Sequence, residues 1–157
     1  MSIPRCRRRA FSLIELVIVV VIISIIAAIA IPKMSRGSAG AADAALAQNL
    51  VTLRQALDHY EAEHDGQYPD ITVVNAALTL YSTADGASAQ TSPDSTHVYG
   101  PYLRTIPALP VGKFKGQSGI GAAAGPTIGW IYDPAAGTIK PNTMNETDAR
   151  GTLYSAY

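Results

Sequence analysis

Cysteine is nearly absent: the sole cysteine of the 157-residue chain is Cys6, so a disulfide framework and a cysteine-rich metal site are both excluded. Lipidation of Cys6 is disfavoured as well, because Met1-Ser-Ile-Pro-Arg5 offers neither the apolar stretch nor the small residues such a signal places before its cysteine. Charge is sparse at 15% and sums to zero, yet Arg5, Arg7, Arg8 and Arg9 all fall in the first ten positions. Beyond residue 10 the chain keeps 8 basic and 12 acidic residues, so no basic excess there points to nucleic acid, and none is expected as a partner. There is no GK[ST] phosphate loop, no HExxH order in His59-Tyr-Glu-Ala-Glu-His-Asp65 and no recognisable nucleophile with its base, so no catalytic residue is expected. That charged stretch, with His59, Glu61, Glu63, His64 and Asp65, reads as a solvated helix end.

What the chain does have is one long apolar run. Residues 11–31, FSLIELVIVVVIISIIAAIAI, contain only Ser12, Glu15 and Ser24 as polar interruptions. At about 1.5 Å per residue they span roughly 31 Å as a helix, the thickness of a bilayer core. The arginines before the run hold residues 1–10 in the cytoplasm and send the remainder across. An ordinary secretory signal has a shorter apolar core and ends in small residues, which Ala27-Ala-Ile-Ala30 supplies, but here the run continues into Pro32 and a further helix. Glu15 is the exceptional residue, since a carboxylate in an apolar span calls for a partner.

RRRAFSLIEL resembles the type IV prepilin signature: a basic leader ending in a small residue, then Phe, a hydroxyl residue, Leu, Ile, and Glu at the fifth position of the mature chain. The resemblance implies cleavage between Ala10 and Phe11 by a prepilin peptidase, N-methylation of Phe11, and pairing of Glu15 with the Phe11 amine of a neighbouring subunit. Ala10 stands where the family usually has Gly.

Pro32, Gly37 and Gly40 predict a loosened stretch between Ile31 and Gly40. From Ala41 to about His64 the pattern is helical again: Leu46, Leu50, Leu53, Leu57 and Tyr60 form one stripe, with Gln48, Thr52, Arg54, Gln55, Asp58 and Glu61 on a solvated or subunit-facing side. A second helix is predicted over Thr72–Ser82, capped by Asp70 or Thr72, and a polar loop over Thr83–His97. Tyr99 to Gly112 alternates apolar anchors with prolines and reads as an extended, pinned connection. The Gly- and Ala-rich residues 113–126 read as a flexible loop. Residues 127–141 read as a β-hairpin, in which Trp130 and Tyr132 share one face and Ile131 takes the other.

The stretches GPYLRTIPALP and GWIYDPAAGTIKPN are similar to segments of the major pseudopilins of type II secretion, and a body without cysteine fits that branch. The fold implied is α+β: a long N-terminal helix, its second half packed on a small antiparallel sheet. The divisions expected are a leader at 1–10, a transmembrane or filament-core helix at 11–31, an amphipathic continuation at 32–66 and a C-terminal domain at 67–157 with its hairpin at 127–141. The partners implied are further copies of the chain, minor pseudopilins, the prepilin peptidase, membrane lipid, and an inner-membrane assembly platform with its secretion ATPase. The domain then lies in the periplasm. No cofactor is required, although some pseudopilins hold calcium, for which Asp133, Asn142, Asn145, Glu146 and Asp148 offer oxygen donors. A surface type IV pilus subunit and a membrane-anchored binding protein that never polymerises are the other functions compatible with these residues.

Overall fold

The computed structural model describes residues 12–157, and for residues 31–37 the helical backbone only. Helix α1 covers Leu13–Glu63. Its start is set by Ser12, whose carbonyl accepts the first helical hydrogen bond from Leu16 N–H. It remains helical through Pro32, Gly37 and Gly40, where the sequence predicts loosening. A proline removes only its own N–H from the ladder, and the neighbouring turns carry the helix on. The chain divides into two compact units between Ser38 and Ala39.

In the first unit, Leu13–Ala30 has a mean hydropathy of 3.2 and none of its residues is buried. Among the described residues of this unit nothing apolar covers Leu13, Ile14 or the Val17–Val21 run, so these side chains need an apolar surround from outside it.

The second unit has a true core. Leu46, Leu50, Leu53, Leu57 and Tyr60 are buried along one stripe of α1, as their spacing of three and four requires. They pack in one cluster with Val74 and Leu78 of α2 (Val74–Thr79), with Leu109 and Val111, and with Trp130, Tyr132 and Ile139. Each buried leucine contributes about 1.5–3 kcal/mol by leaving water.

The strands are β1 (Tyr81–Ser82), β2 (Ala89–Gln90), β3 (Gly119–Gly121), β4 (Ile128–Asp133) and β5 (Thr138–Pro141). β1 and β2 form an antiparallel pair; β3, β4 and β5 form a sheet in that order. In the predicted hairpin, Trp130 lies opposite Pro141 and Tyr132 opposite Ile139, which places Trp130, Tyr132 and Ile139 on the core side.

Several expectations are corrected. The second helix is shorter than Thr72–Ser82: it ends at Thr79, Leu80 turns extended, and Tyr81–Ser82 becomes β1. Asp70 takes Thr72 N–H and the Thr72 hydroxyl on one carboxylate oxygen, a turn ahead of the helix and not its cap. The predicted loop at Thr83–His97 contains β2, and the predicted loop at 113–126 contains β3, which runs parallel to β4. The sheet is therefore mixed, not purely antiparallel. A side chain on Gly129 would collide with the Gln117 carbonyl, so glycine is required for the backbones to approach this closely. The Tyr99–Gly112 connection is pinned as expected: Trp130 Nε1 donates to Pro107 O at 2.8 Å, and Asn49 Nδ2 to Ala108 O at 3.2 Å.

Candidate functional site

The start of α1 supplies the first candidate site. With Ser12 flanking the helix and Leu13 its first residue, Glu15 falls at the third helical position. Its Oε2 accepts a hydrogen bond from Ser12 N–H at 3.1 Å. This is one half of the reciprocal Ser-x-x-Glu capping arrangement, and the carboxylate also sits at the positive end of the helix dipole. The Ser12-Leu-Ile-Glu15 spacing carries that signal in the sequence, beside the reading of Glu15 as a residue awaiting a partner. Further along the span, Ser24 Oγ donates to Val20 O at 2.7 Å, so its hydroxyl is satisfied within the helix. Ala10 and Phe11, the expected cleavage pair, lie outside the described residues.

The charged end of α1 departs from expectation. His59 and Glu63 are exposed, but His64 is buried, its ring stacked on Tyr60 with centroids 3.7 Å apart. His64 Nδ1 lies 2.8 Å from Tyr60 O and Nε2 lies 3.1 Å from Ser82 Oγ, which fixes Nδ1 as the donor. The reason is the stripe itself: position 64 follows Tyr60 by four, so it continues the buried face. Arg54, expected on the solvated side, instead donates through Nη2 to Tyr157 O at 2.9 Å and Ile139 O at 3.4 Å.

The C-terminal segment closes on α1 through Asp43 and is folded on itself by Asp148. Asp43 accepts Tyr154 Oη at 2.6 Å and Ala149 N–H at 3.2 Å. Asp148 accepts Tyr157 Oη at 2.7 Å on one oxygen, and Arg150 and Thr152 N–H at 2.8 Å on the other. The Tyr157 hydroxyl and these backbone donors hold Asp148 below the usual carboxylate range, while burial and then Asp43 push Tyr154 up.

Of the five residues considered for calcium, Asp133, Asn142, Glu146 and Asp148 make hydrogen bonds within the chain. Asp133 caps Ala135 N–H, Glu146 accepts Lys113 N–H, and Asp148 is held as above. Asn142 donates to Gly125 O and Ile128 O. Asn142 Oδ1 and Thr143 Oγ1 are buried without a hydrogen-bond partner among the described residues, two neutral oxygens where calcium takes six to eight. No group of three or more His, Cys, Asp or Glu side chains converges as a metal centre among the described residues.

The model of the prokaryotic N-terminal methylation motif matches residues 5–31. The chain thus carries the prepilin-type motif, on a segment long and apolar enough to cross a membrane once. No curated protein and no solved structure matches the chain. Motif, apolar helix and α+β unit together have a type IV pilin-like architecture, that of a single-pass membrane-anchored chain.

Proposed function

We propose that this chain is a structural subunit of a pseudopilus, assembled from the inner membrane into the periplasm to drive type II protein secretion, with no catalytic role of its own. The observation that carries the reading is the prepilin-type motif over residues 5–31, with Glu15 a carboxylate at the head of a helix whose large apolar side chains from Leu13 to Ile29 are uncovered. Processing then falls between Ala10 and Phe11, with methylation of the new Phe11 amine. In the monomer Glu15 is satisfied by Ser12 N–H. In the filament it exchanges part of that bond for the positively charged Phe11 amine of the next subunit, and the uncovered apolar faces bury one another. Pairing offsets the cost of a carboxylate in an apolar surround and selects one register.

The GWIYDPAAGTIKPN hairpin, found as β4 and β5, and the absence of cysteine beyond residue 10 favour the pseudopilin branch. The motif itself is shared with surface type IV pili, and this supports a pilus subunit as the second reading. N-terminal mass analysis of the protein from its native membrane tests the processing: a chain beginning at N-methylated Phe11 is expected, and an intact Met1 or a start near Ile31 would overturn it. Electron microscopy of filaments sheared from the cell surface separates the two branches, since long surface filaments at native expression favour the pilus. Glu15→Ala is expected to insert in the membrane but not polymerise. Normal function of that variant, with the unaltered chain monomeric in membranes, would return the reading to a membrane-anchored binding protein.

A further inference from the structure

Where α1 ends, the second unit carries a concave pocket of about 450 Å³ between residues 60–73 and the β1–β2 turn. Asp65, Asp70 and Asp85 line it, together with the rings of Tyr60, His64 and Tyr68; no lysine or arginine does. Asp70 and Asp85 each commit one oxygen to a neighbouring threonine hydroxyl and backbone N–H, and the second oxygen of each has no donor among the described residues. The Thr72 and Thr83 hydroxyls hold these two carboxyls below the usual range, so both are charged at neutral pH. Asp65 makes no side-chain hydrogen bond or ion pair among the described residues.

Tyr60 gives the independent sign of a ligand. Its side chain is 3% exposed, and its hydroxyl has no hydrogen-bond partner among the described residues. It points at Gly86, another residue of the pocket wall, where an added side chain would occupy its place. Burial and the Asp85 charge push the phenol up, so it remains a proton donor. The Tyr60 ring is buried while its unpartnered hydroxyl keeps access to the pocket, where it can donate to an acceptor that enters, and the carboxylates attract cationic donors. A metal ion supplies neither the acceptor nor a use for carboxylates that do not converge. A basic peptide supplies both: its ammonium groups meet the carboxylates, and its backbone carbonyl meets Tyr60.

The same unit displays such a peptide elsewhere. Lys113-Phe114-Lys115 is a tight turn between Gly112 (φ 75°) and Gly116 (φ 91°), closed by Lys115 N–H to Gly112 O at 3.2 Å. Both lysines are exposed, Phe114 is half-buried, and neither ammonium pairs with a carboxylate among the described residues.

We infer that the Asp65/Asp70/Asp85 pocket is an interface site that receives the Lys113–Lys115 turn of a second copy of this chain. The inference rests on the self-assembly reading and adds where the globular units touch. Pocket and turn are different surfaces of one subunit, so the contact is heterologous, and heterologous contacts repeat into open arrays instead of closing as dimers.

Disulfide mapping on the full-length chain in its membrane tests this, with Cys6→Ser as background. Gln67→Cys on the exposed pocket rim is combined in one chain with Ser118→Cys, an exposed position beside the turn that leaves both lysines in place. Mild oxidation is expected to give a ladder of dimers and higher multimers, while co-expressed single variants stop at dimers. Adding Asp70→Asn with Asp85→Asn, which keeps the oxygens that Thr72 and Thr83 use, is expected to abolish the ladder; raising the salt concentration is expected to weaken it. Filaments visible by electron microscopy without any ladder would overturn this contact and leave the assembly reading standing. A ladder that survives both asparagine substitutions would overturn recognition by charge. Absence of both filaments and ladder from the Cys6→Ser chain would overturn the assembly reading and this inference with it.

Discussion

His64 lies flat on Tyr60, with ring planes 3° from parallel, and bridges the Tyr60 carbonyl to the buried Ser82 hydroxyl. One residue thus ties the end of α1 to β1. Replacing it with leucine leaves Ser82 buried without its partner, which is expected to cost about 2–4 kcal/mol. Adding Ser82→Ala is expected to recover part of that loss, because removing both polar partners is milder than orphaning one. Melting of the four proteins of this cycle in detergent checks it, and additive losses would show that the pair is not coupled.

This histidine also marks how far the sequence could be read. The stripe from Leu46 to Tyr60 was legible because burial on a helix repeats every three to four residues, and the same count reaches 64. The polar identity of His64, among Glu61, Glu63 and Asp65, argued for solvent, and tertiary packing overrode it. The 127–141 hairpin was legible from its β-formers and turn residues. β1, β2 and β3 were not: strands of two or three residues carry no usable alternation, and in Gly119-Ile-Gly121 the one β-former is flanked by two glycines. Arg54 was misplaced because nothing local predicts a carbonyl about a hundred residues away. At the head of α1 the motif was legible as a motif, while the Ser12 to Glu15 hydrogen bond waited for backbone geometry.

Trp130 fills the centre of the core and also holds the Pro107 carbonyl. Phenylalanine keeps most of the ring but leaves that carbonyl without its donor, and about 1–2 kcal/mol is expected to be lost. Alanine adds a cavity, for a total of about 3–5 kcal/mol. Denaturant midpoints of the two variants check the order, and equal losses would mean that the hydrogen bond contributes nothing.

Acid is expected to release the C-terminal segment. Asp148 is held below its ordinary value by the Tyr157 hydroxyl and by Thr152 and Arg150 N–H. A carboxyl depressed in the folded state contributes stability above its unfolded value of about 3.9, and that contribution is lost as pH falls through the lower folded value. Hydrogen exchange over residues 148–157 should therefore accelerate below about pH 4 relative to the β4–β5 hairpin. Asp148→Asn, which keeps an acceptor oxygen without the titration, should flatten that dependence. An unchanged acid profile in this variant would place the sensitive group elsewhere.

Gly129 faces the Gln117 carbonyl where β3 meets β4. Alanine there forces the parallel pair apart, and a loss of about 1–3 kcal/mol is expected from strain against backbone that cannot give way locally. Exchange protection at Ile120 should fall with it, while the Trp130–Pro141 and Tyr132–Ile139 pairs of the β4–β5 hairpin keep theirs.

Glu15 has two separable duties, and glutamine distinguishes them. Its Oε2 receives Ser12 N–H inside the monomer, a bond that a neutral amide oxygen can also accept. The pairing with a neighbour's Phe11 amine needs a negative charge. If assembly depends on that charge, Glu15→Gln fails to polymerise as completely as Glu15→Ala, although both insert in the membrane and both are cut at Ala10-Phe11. If the residue acts only by fixing the first turn, Glu15→Gln assembles and Glu15→Ala does not. The charge reading carries a further expectation: Glu15→Asp keeps the charge but is shorter by one methylene, and so falls in filament yield between the unaltered chain and the Gln and Ala variants. Filament yield per unit of membrane-inserted, processed protein is the quantity to compare, because it removes differences in insertion and cleavage from the result.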